Sequence, residues 1–304
     1  MAARWIPVVG AIDVEDGDIH YRGKPATTDA AGQPLHSLGL ALSDQEFGGG
    51  TITAGVRFDA VSTNTFAGLV LYYEPQTQSF IEAQLGGPSF FCAVWSQINR
   101  QWTNYGGIGT GDQVKPGRTY QVEAWVKGSS VHLSVDGVKV LSAILPISLP
   151  TGQAGLYFQG EADIHVSAFT VSSVKPKAFV VMQFTPPYND LYEEVIRPVC
   201  AEFGLAAERA DEQYGPGVII QDIERQILES RVVIADITPA NLNVYYEVGY
   251  AHALKKDTIL VAEKPTALPF DVSPFRVLFY ENSIAGKTKV QAGLRRHLEA
   301  IQRK

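Results

Sequence analysis

The chain has 304 residues, 45% of them hydrophobic and 19% charged, with a formal net charge of −7. That length suits two ordinary domains, each with its own core. Residues 1–175 carry 10 Lys and Arg against 15 Asp and Glu, and residues 176–304 carry 15 against 17, so neither half has the basic excess of a nucleic-acid surface.

No apolar run approaches a membrane span, and Met-Ala-Ala-Arg-Trp-Ile-Pro at the start lacks a signal-peptide core. Cys92 and Cys200 fall in different halves, which predicts two free thiols and a reducing, cytoplasmic setting.

From Thr51 to Ser173 the pattern is strand after strand with turn residues between. Ile52 to Phe58, Ala67 to Tyr73, Phe80 to Leu85 and Phe90 to Trp95 are the first of these. Tyr120 to Lys127 and Val131 to Val135 alternate with period two, and the latter ends at Asp136-Gly137, a strong hairpin turn. Ala154 to Phe158 and Ile164 to Val171 complete the set. No helical period interrupts them. Ten or more short strands predict an all-β jelly-roll sandwich over residues 1–173. The succession Phe66-Ala-Gly-Leu, Gly117-Arg-Thr-Tyr-Gln-Val-Glu, Val135-Asp-Gly-Val and Gly155-Leu-Tyr resembles the concanavalin A-like, laminin-G-like sandwiches. That resemblance implies a recognition or assembly module with a glycan or protein ligand. Trp95, Trp102 and Trp125, with Tyr105, are the aromatic candidates for stacking on a sugar ring. The paired carboxylates of hydrolases with this fold are not found: Glu161-Ala-Asp163-Ile ends in His165 where an acid is needed. No Asp/Asn cluster has calcium-loop spacing, and no metal is expected.

Ser172 to Lys177 is a short polar joint containing Pro176. Beyond it, residues 177–304 read as strands alternating with helices. The strands are Ala178–Phe184, Leu205–Ala210, Arg231–Asp236, Thr258–Ala262 and Arg276–Tyr280. Helical spacing runs over Tyr188–Phe203, stopped by Gly204, then over Val218–Glu229, then after Asn241, then over Gly286–Gln302. The pattern predicts a doubly wound α/β domain, flavodoxin-like, with five parallel strands.

In such a sheet ligands bind at the carboxyl edge. There the third strand ends in Asp236, and a loop with Pro239 leads to a helix capped by Asn241 or Asn243. Val244, Val248, Ala251 and Leu254 take core-facing spacing, while Asn243 and Glu247 share a face one turn apart. The neighbouring strand ends bring Phe184, Tyr188, Arg209 and Asp211 to the same edge. Neither the dinucleotide fingerprint nor the Walker loop occurs, so phosphate binding falls to Arg209, Arg276 or helix N-termini.

The string Asp236-x-Thr238-x-x-Asn241-x-Asn243-Val-x-Tyr246-Glu247-x-Gly249-x-Ala251 resembles the core of the nucleoside 2-deoxyribosyltransferase-like superfamily, which includes bacterial domains described as Toll/interleukin-1-receptor-like. The resemblance covers about residues 177–302. It implies that Glu247 is the nucleophile at a sugar anomeric carbon. An Asp six residues earlier in that family is Asn241 here, so the group that serves a base needing protonation is missing. Asp236 and Asn243 are then expected to hold ribose hydroxyls, Phe184 or Tyr188 to stack on the base, and Arg209, Asp211, Asn241 and Tyr246 to complete the substrate site. The expected activity is N-glycosidic cleavage of a nucleotide, with NAD+ as substrate rather than cofactor, because nicotinamide leaves without protonation. The resemblance extends to NADases of antiphage defence, and a homo-oligomer is among the expected partners. Two alternatives are a non-catalytic nucleotide- or glycan-binding signalling protein and a nucleoside deoxyribosyltransferase. No nucleic-acid or membrane partner is expected.

Overall fold

The computed structural model describes residues 3–29, 31–209 and 219–302. Contacts divide the chain into two compact units. The first holds residues 1–126, 130–145 and 149–174, and the second holds 127–129, 146–148 and 175–304.

The first unit is all β. Its early strands are β1 (Trp5–Val9), β2 (Ile12–Glu15), β3 (Asp18–Tyr21), β4 (Thr27–Thr28), β5 (Pro34–Leu35), β6 (Leu38–Phe47) and β7 (Gly50–Phe58). Next come β8 (Phe66–Glu74), β9 (Ser79–Gly86), β10 (Cys92–Ile98), β11 (Gln101–Ile108) and β12 (Thr119–Lys127). The last four are β13 (Ser130–Val135), β14 (Val138–Ile144), β15 (Gly152–Gln159) and β16 (Ile164–Ser173).

They form two antiparallel seven-stranded sheets, ordered β1-β6-β15-β8-β9-β10-β11 and β14-β13-β12-β7-β16-β3-β2, beside the small β4-β5 pair. Alternation explains the pairing: β12 and β13 bury every second residue, so one face of each meets the opposite sheet. Between the sheets lie Phe47, Ile52, Val56, Leu69, Leu71, Val94, Val122, Leu133, Leu156 and Phe158. Asp136 and Gly137 both take left-handed backbone at the β13–β14 turn, as that hairpin requires. The jelly-roll-like sandwich is as expected, but strands begin well before Thr51. Those early strands are short or lie toward sheet edges, and β1, β2, β4 and β5 have largely exposed residues, so they lack the alternation that marks the rest.

The second unit is α/β. Its strands are β17 (Lys177–Val181), β18 (Ala206–Arg209), β19 (Val232–Asp236), β20 (Asp257–Glu263) and β21 (Val277–Tyr280). Helix α1 (Tyr188–Leu191) runs through a π turn at Tyr192–Ile196 into α2 (Arg197–Glu202). The others are α3 (Ile219–Glu229), α4 (Leu242–Ala253) and α5 (Ile284–Gln302). The sheet is parallel in the order β18-β17-β19-β20-β21, the flavodoxin-like order, with its switch point between β17 and β19. Every residue of β19 is buried, as a strand covered on both faces must be. Residues of α1, α2 and α5 pack on one face with Val180, Ile234 and Val261. Those of α3 and α4 pack on the other with Phe179, Val233 and Leu260. Among the described residues no helix is long and apolar enough to cross a membrane. Cys92 and Cys200 are buried and free.

Candidate functional site

The carboxyl edge of the parallel sheet gathers most of the expected residues. Asn241 is the cap of α4: its side chain accepts a 2.9 Å bond from the Asn243 backbone N–H. Val244, Val248 and Ala251 are buried as their spacing predicted. Asn243 is exposed, and Tyr246 is 51% exposed, so both face solvent from α4.

Glu247 is only 9% exposed. Among the described residues its side chain has neither a hydrogen bond nor an ion pair, and burial pushes its carboxyl up to about 7. It does not pair with Arg276 or with a lysine.

Asp236 has no exposed surface. Its Oδ1 accepts from the Thr238 backbone N–H at 3.0 Å, and its Oδ2 accepts from the Tyr280 hydroxyl at 3.0 Å. Burial raises this carboxyl to about 7 against the pull of those donors. The expectation that Asp236 holds ribose hydroxyls is therefore corrected. It lies beneath the edge with both oxygens engaged, and it positions Tyr280 and the Thr238 turn.

Arg209, at the end of β18, donates to Asn189 Oδ1 at 2.9 Å. Its guanidinium lies 4.5 Å from the Tyr192 ring centre and 5.2 Å from that of Phe184. Phe184 is half-exposed, and Tyr188 opens the helix beside it. Asp211 lies outside the described residues.

A cavity of about 230 Å³ opens at this edge, on the α1/α5 face of the sheet. Tyr188, Asp190, Leu191, Glu194, Glu263 and Tyr280 line it, with Glu281, Asn282 and Lys287 at its α5 side. Glu247 is not among its lining residues; α4 packs on the other face. Glu263 and Tyr280 were missed in the sequence. The signal existed, since Glu263 ends an apolar strand just as Asp236 does.

In the sandwich the three tryptophans do not form one platform. Trp95 and Trp102 lie on the outer face of the β1–β11 sheet, their ring centres 6.4 Å apart and nearly perpendicular. Trp125 belongs to the other sheet and stacks on His132 at 4.8 Å. Tyr105 packs toward the core, its hydroxyl 3.0 Å from that of Ser96. Trp102 also touches Phe80 and Tyr157, members of an apolar cluster that covers this outer face. Under that cluster sits Glu82, with no exposed surface and no partner for either carboxylate oxygen. It lies over Gly68 of β8, where any Cβ would overlap the Glu82 carboxylate. Burial raises its carboxyl to about 8. Sequence reading passed over Glu82, which stands two residues from Gln84 in the Ser79–Gly86 strand.

No protein-family model and no curated protein sequence matches the chain. Neither result supports the expected resemblance to the deoxyribosyltransferase-like superfamily. Among solved structures the chain is similar to carbohydrate-binding module CBM66 from Bacillus subtilis, at 13% identity and a TM-score of 0.45, covering 55% of this chain and 93% of that one. It is also similar to a Bacillus licheniformis β-glucanase, at 12% identity and a TM-score of 0.39, covering 56% and 93%. A lichenase derived from a mouse hindgut metagenome gives 12% and 0.38, covering 54% and 89%. What those proteins bind or cleave is theirs.

Proposed function

We propose that the α/β unit is a nucleotide N-glycosidase, with NAD+ its substrate and Glu247 its principal catalytic group. The observation that carries this reading is the Glu247 carboxyl, nearly buried and without a partner among the described residues, near the start of a helix at the carboxyl edge. A carboxylate kept out of water and unpaired costs stability, and such groups cluster at working sites. In this reading a Glu247 oxygen attacks the ribose anomeric carbon. The glycosidic C–N bond breaks, its electron pair neutralises the pyridinium nitrogen, and nicotinamide leaves without a proton. Water then hydrolyses the glycosyl–enzyme ester. In this reading Asn241 caps the helix that carries the nucleophile, and Arg209, whose guanidinium lies over Phe184, meets a phosphate of the nucleotide. The sandwich serves as the recognition module.

The test is incubation of the pure protein with NAD+ and a nucleoside panel, with product analysis. Glu247→Gln should lower turnover by roughly 10²-fold or more with little change in substrate affinity. Asn241→Asp keeps a good cap and supplies a carboxyl, so it should favour nucleosides whose base needs protonation. Full NAD+ cleavage by Glu247→Gln, or no turnover of any substrate by the wild type, ends the enzymatic reading in favour of a nucleotide-binding module.

A further inference from the structure

We infer that the aromatic cluster on the outer face of the β1–β11 sheet is a cage for a methylated ammonium group, with Glu82 as its counter-charge. Ile81, Ala83 and Leu85 of β9 point into the core between the sheets, so Glu82 points to the opposite face. There Trp95 of β10 and Val70 of β8 are its cross-strand partners. Its carboxylate reaches across Gly68, whose own partner on β15 is Tyr157. Phe80, Trp102 and Tyr157 touch one another over this spot, with ring centres 4.9, 5.5 and 6.1 Å apart.

The ring geometry favours a compact cation. Trp102 stands at 87° to Phe80 and at 84° to Trp95. Rings set at right angles wall in a roughly spherical group and turn their electron-rich faces to it, whereas a flat sugar ring needs one open face to lie on. Trp102 is 45% exposed and comes from the edge strand β11, so it is the wall that turns aside to admit the ligand. The carboxyl supplies the charge. Glu82 has no exposed surface, and neither oxygen has a hydrogen-bond partner. An acid buried in that way costs stability until a cation meets it. The groups facing it carry no charge: Gly68 and Val70 from β8, Trp95 from β10, Trp102 from β11 and Tyr157 from β15. Tyr157 is the titratable one of these, and burial, then the charge of Glu82, holds its phenol protonated. On β9 itself Gln84 is committed to the Gly86 carbonyl. A quaternary ammonium asks nothing more of such a site, since it donates no N–H hydrogen bond. Every residue named lies in the first unit, so the cage stands apart from the N-glycosidase reading and gives a ligand class to the recognition role proposed for the sandwich.

The experiment is isothermal titration of the full-length protein with choline, with dimethylbutanol, its uncharged carbon isostere, and cellobiose as comparisons. Saturable choline binding is expected, roughly tenfold or more tighter than that of the isostere. Binding ionises Glu82, so affinity should rise as pH climbs through about 8, with proton release seen as heats that vary with the buffer. Glu82→Gln and Trp102→Ala should each weaken choline by roughly tenfold, and Glu82→Gln should also abolish the proton release. Trp125→Ala, on the other sheet, leaves binding unchanged. Thermal unfolding of each variant separates lost binding from lost fold; Trp102 is half-exposed, so its variant keeps the test open should Glu82→Gln unfold. No saturable choline binding up to about 10 mM, equal affinity for the isostere, affinities unaltered in the folded variants, or cellobiose bound in place of choline would each overturn the assignment.

Discussion

Glu82 is a carboxyl whose folded value has been driven from 4.5 up to about 8 by burial alone. Between those two pH values the folded chain holds a proton that the unfolded chain releases. Stability contributed by this group therefore falls as pH rises from about 4.5 through about 8. Glu82→Met keeps the length, removes the unsatisfied oxygens and should raise stability at pH 7 by about 1–3 kcal/mol. It should also flatten the pH dependence over that interval, read by urea unfolding at several pH values. An unchanged slope would mean that Glu82 is hydrated in solution. Glu247 is raised in the same sense; in the proposed reaction its attacking form is ionised, so kcat should rise as pH increases through about 7. That rise should vanish with the residual activity of Glu247→Gln.

At the scale of elements, α4 is held at its start by the Asn241 cap. Asn241→Ala removes the acceptor for the Asn243 N–H and should cost about 1 kcal/mol, seen as a lower unfolding midpoint. Losing activity well beyond that change in stability would show that the cap also aims Glu247. Sequence legibility followed period and punctuation. The α4 face, the Gly204 stop and the Asp136-Gly137 hairpin could be read because each rests on local chemistry. Strands β1, β2, β4 and β5 could not, since they are short and largely exposed and lack a buried alternating face, and β1 is held only by β6, far along the chain. The same limit hid the cavity, whose lining comes from α1, β20, β21 and α5. The place of Asp236 at the strand end is legible in the sequence, but its bond to Tyr280 is not. Its partner Tyr280 stands 44 residues away, and no local pattern links them.

At the scale of the molecule, three buried carboxyls and one buried ammonium among the described residues shape the response to pH. Glu82, Asp236 and Glu247 are all raised, so each lowers stability as pH climbs toward its folded value of about 8, 7 and 7. Lys256 is lowered from 10.5 to about 7, chiefly by burial, although its Nζ donates to the Leu228 and Ser230 carbonyls. A lysine shifted down restores stability as pH rises from about 7 toward 10.5. The thermal midpoint should thus fall from pH 5 to about 7 and pass a shallow minimum before pH 9. A midpoint that rises steadily from pH 5 to 8 would contradict the burial of these groups.

The fit of Glu82 over Gly68 also constrains the order in which the two positions can change over evolutionary time. While the carboxylate lies across β8, alanine at position 68 overlaps its tip, so Gly68→Ala forces the buried Glu82 side chain to shift and should be destabilising. Shortening the partner first, as in Glu82→Ser, clears the space. The same Gly68→Ala step should then be nearly neutral, and a double-mutant cycle should show coupling of about 1–3 kcal/mol. A lineage that has fixed glutamate at position 82 is held to glycine at 68, and its route to a conventional strand there opens only by giving up the buried acid first.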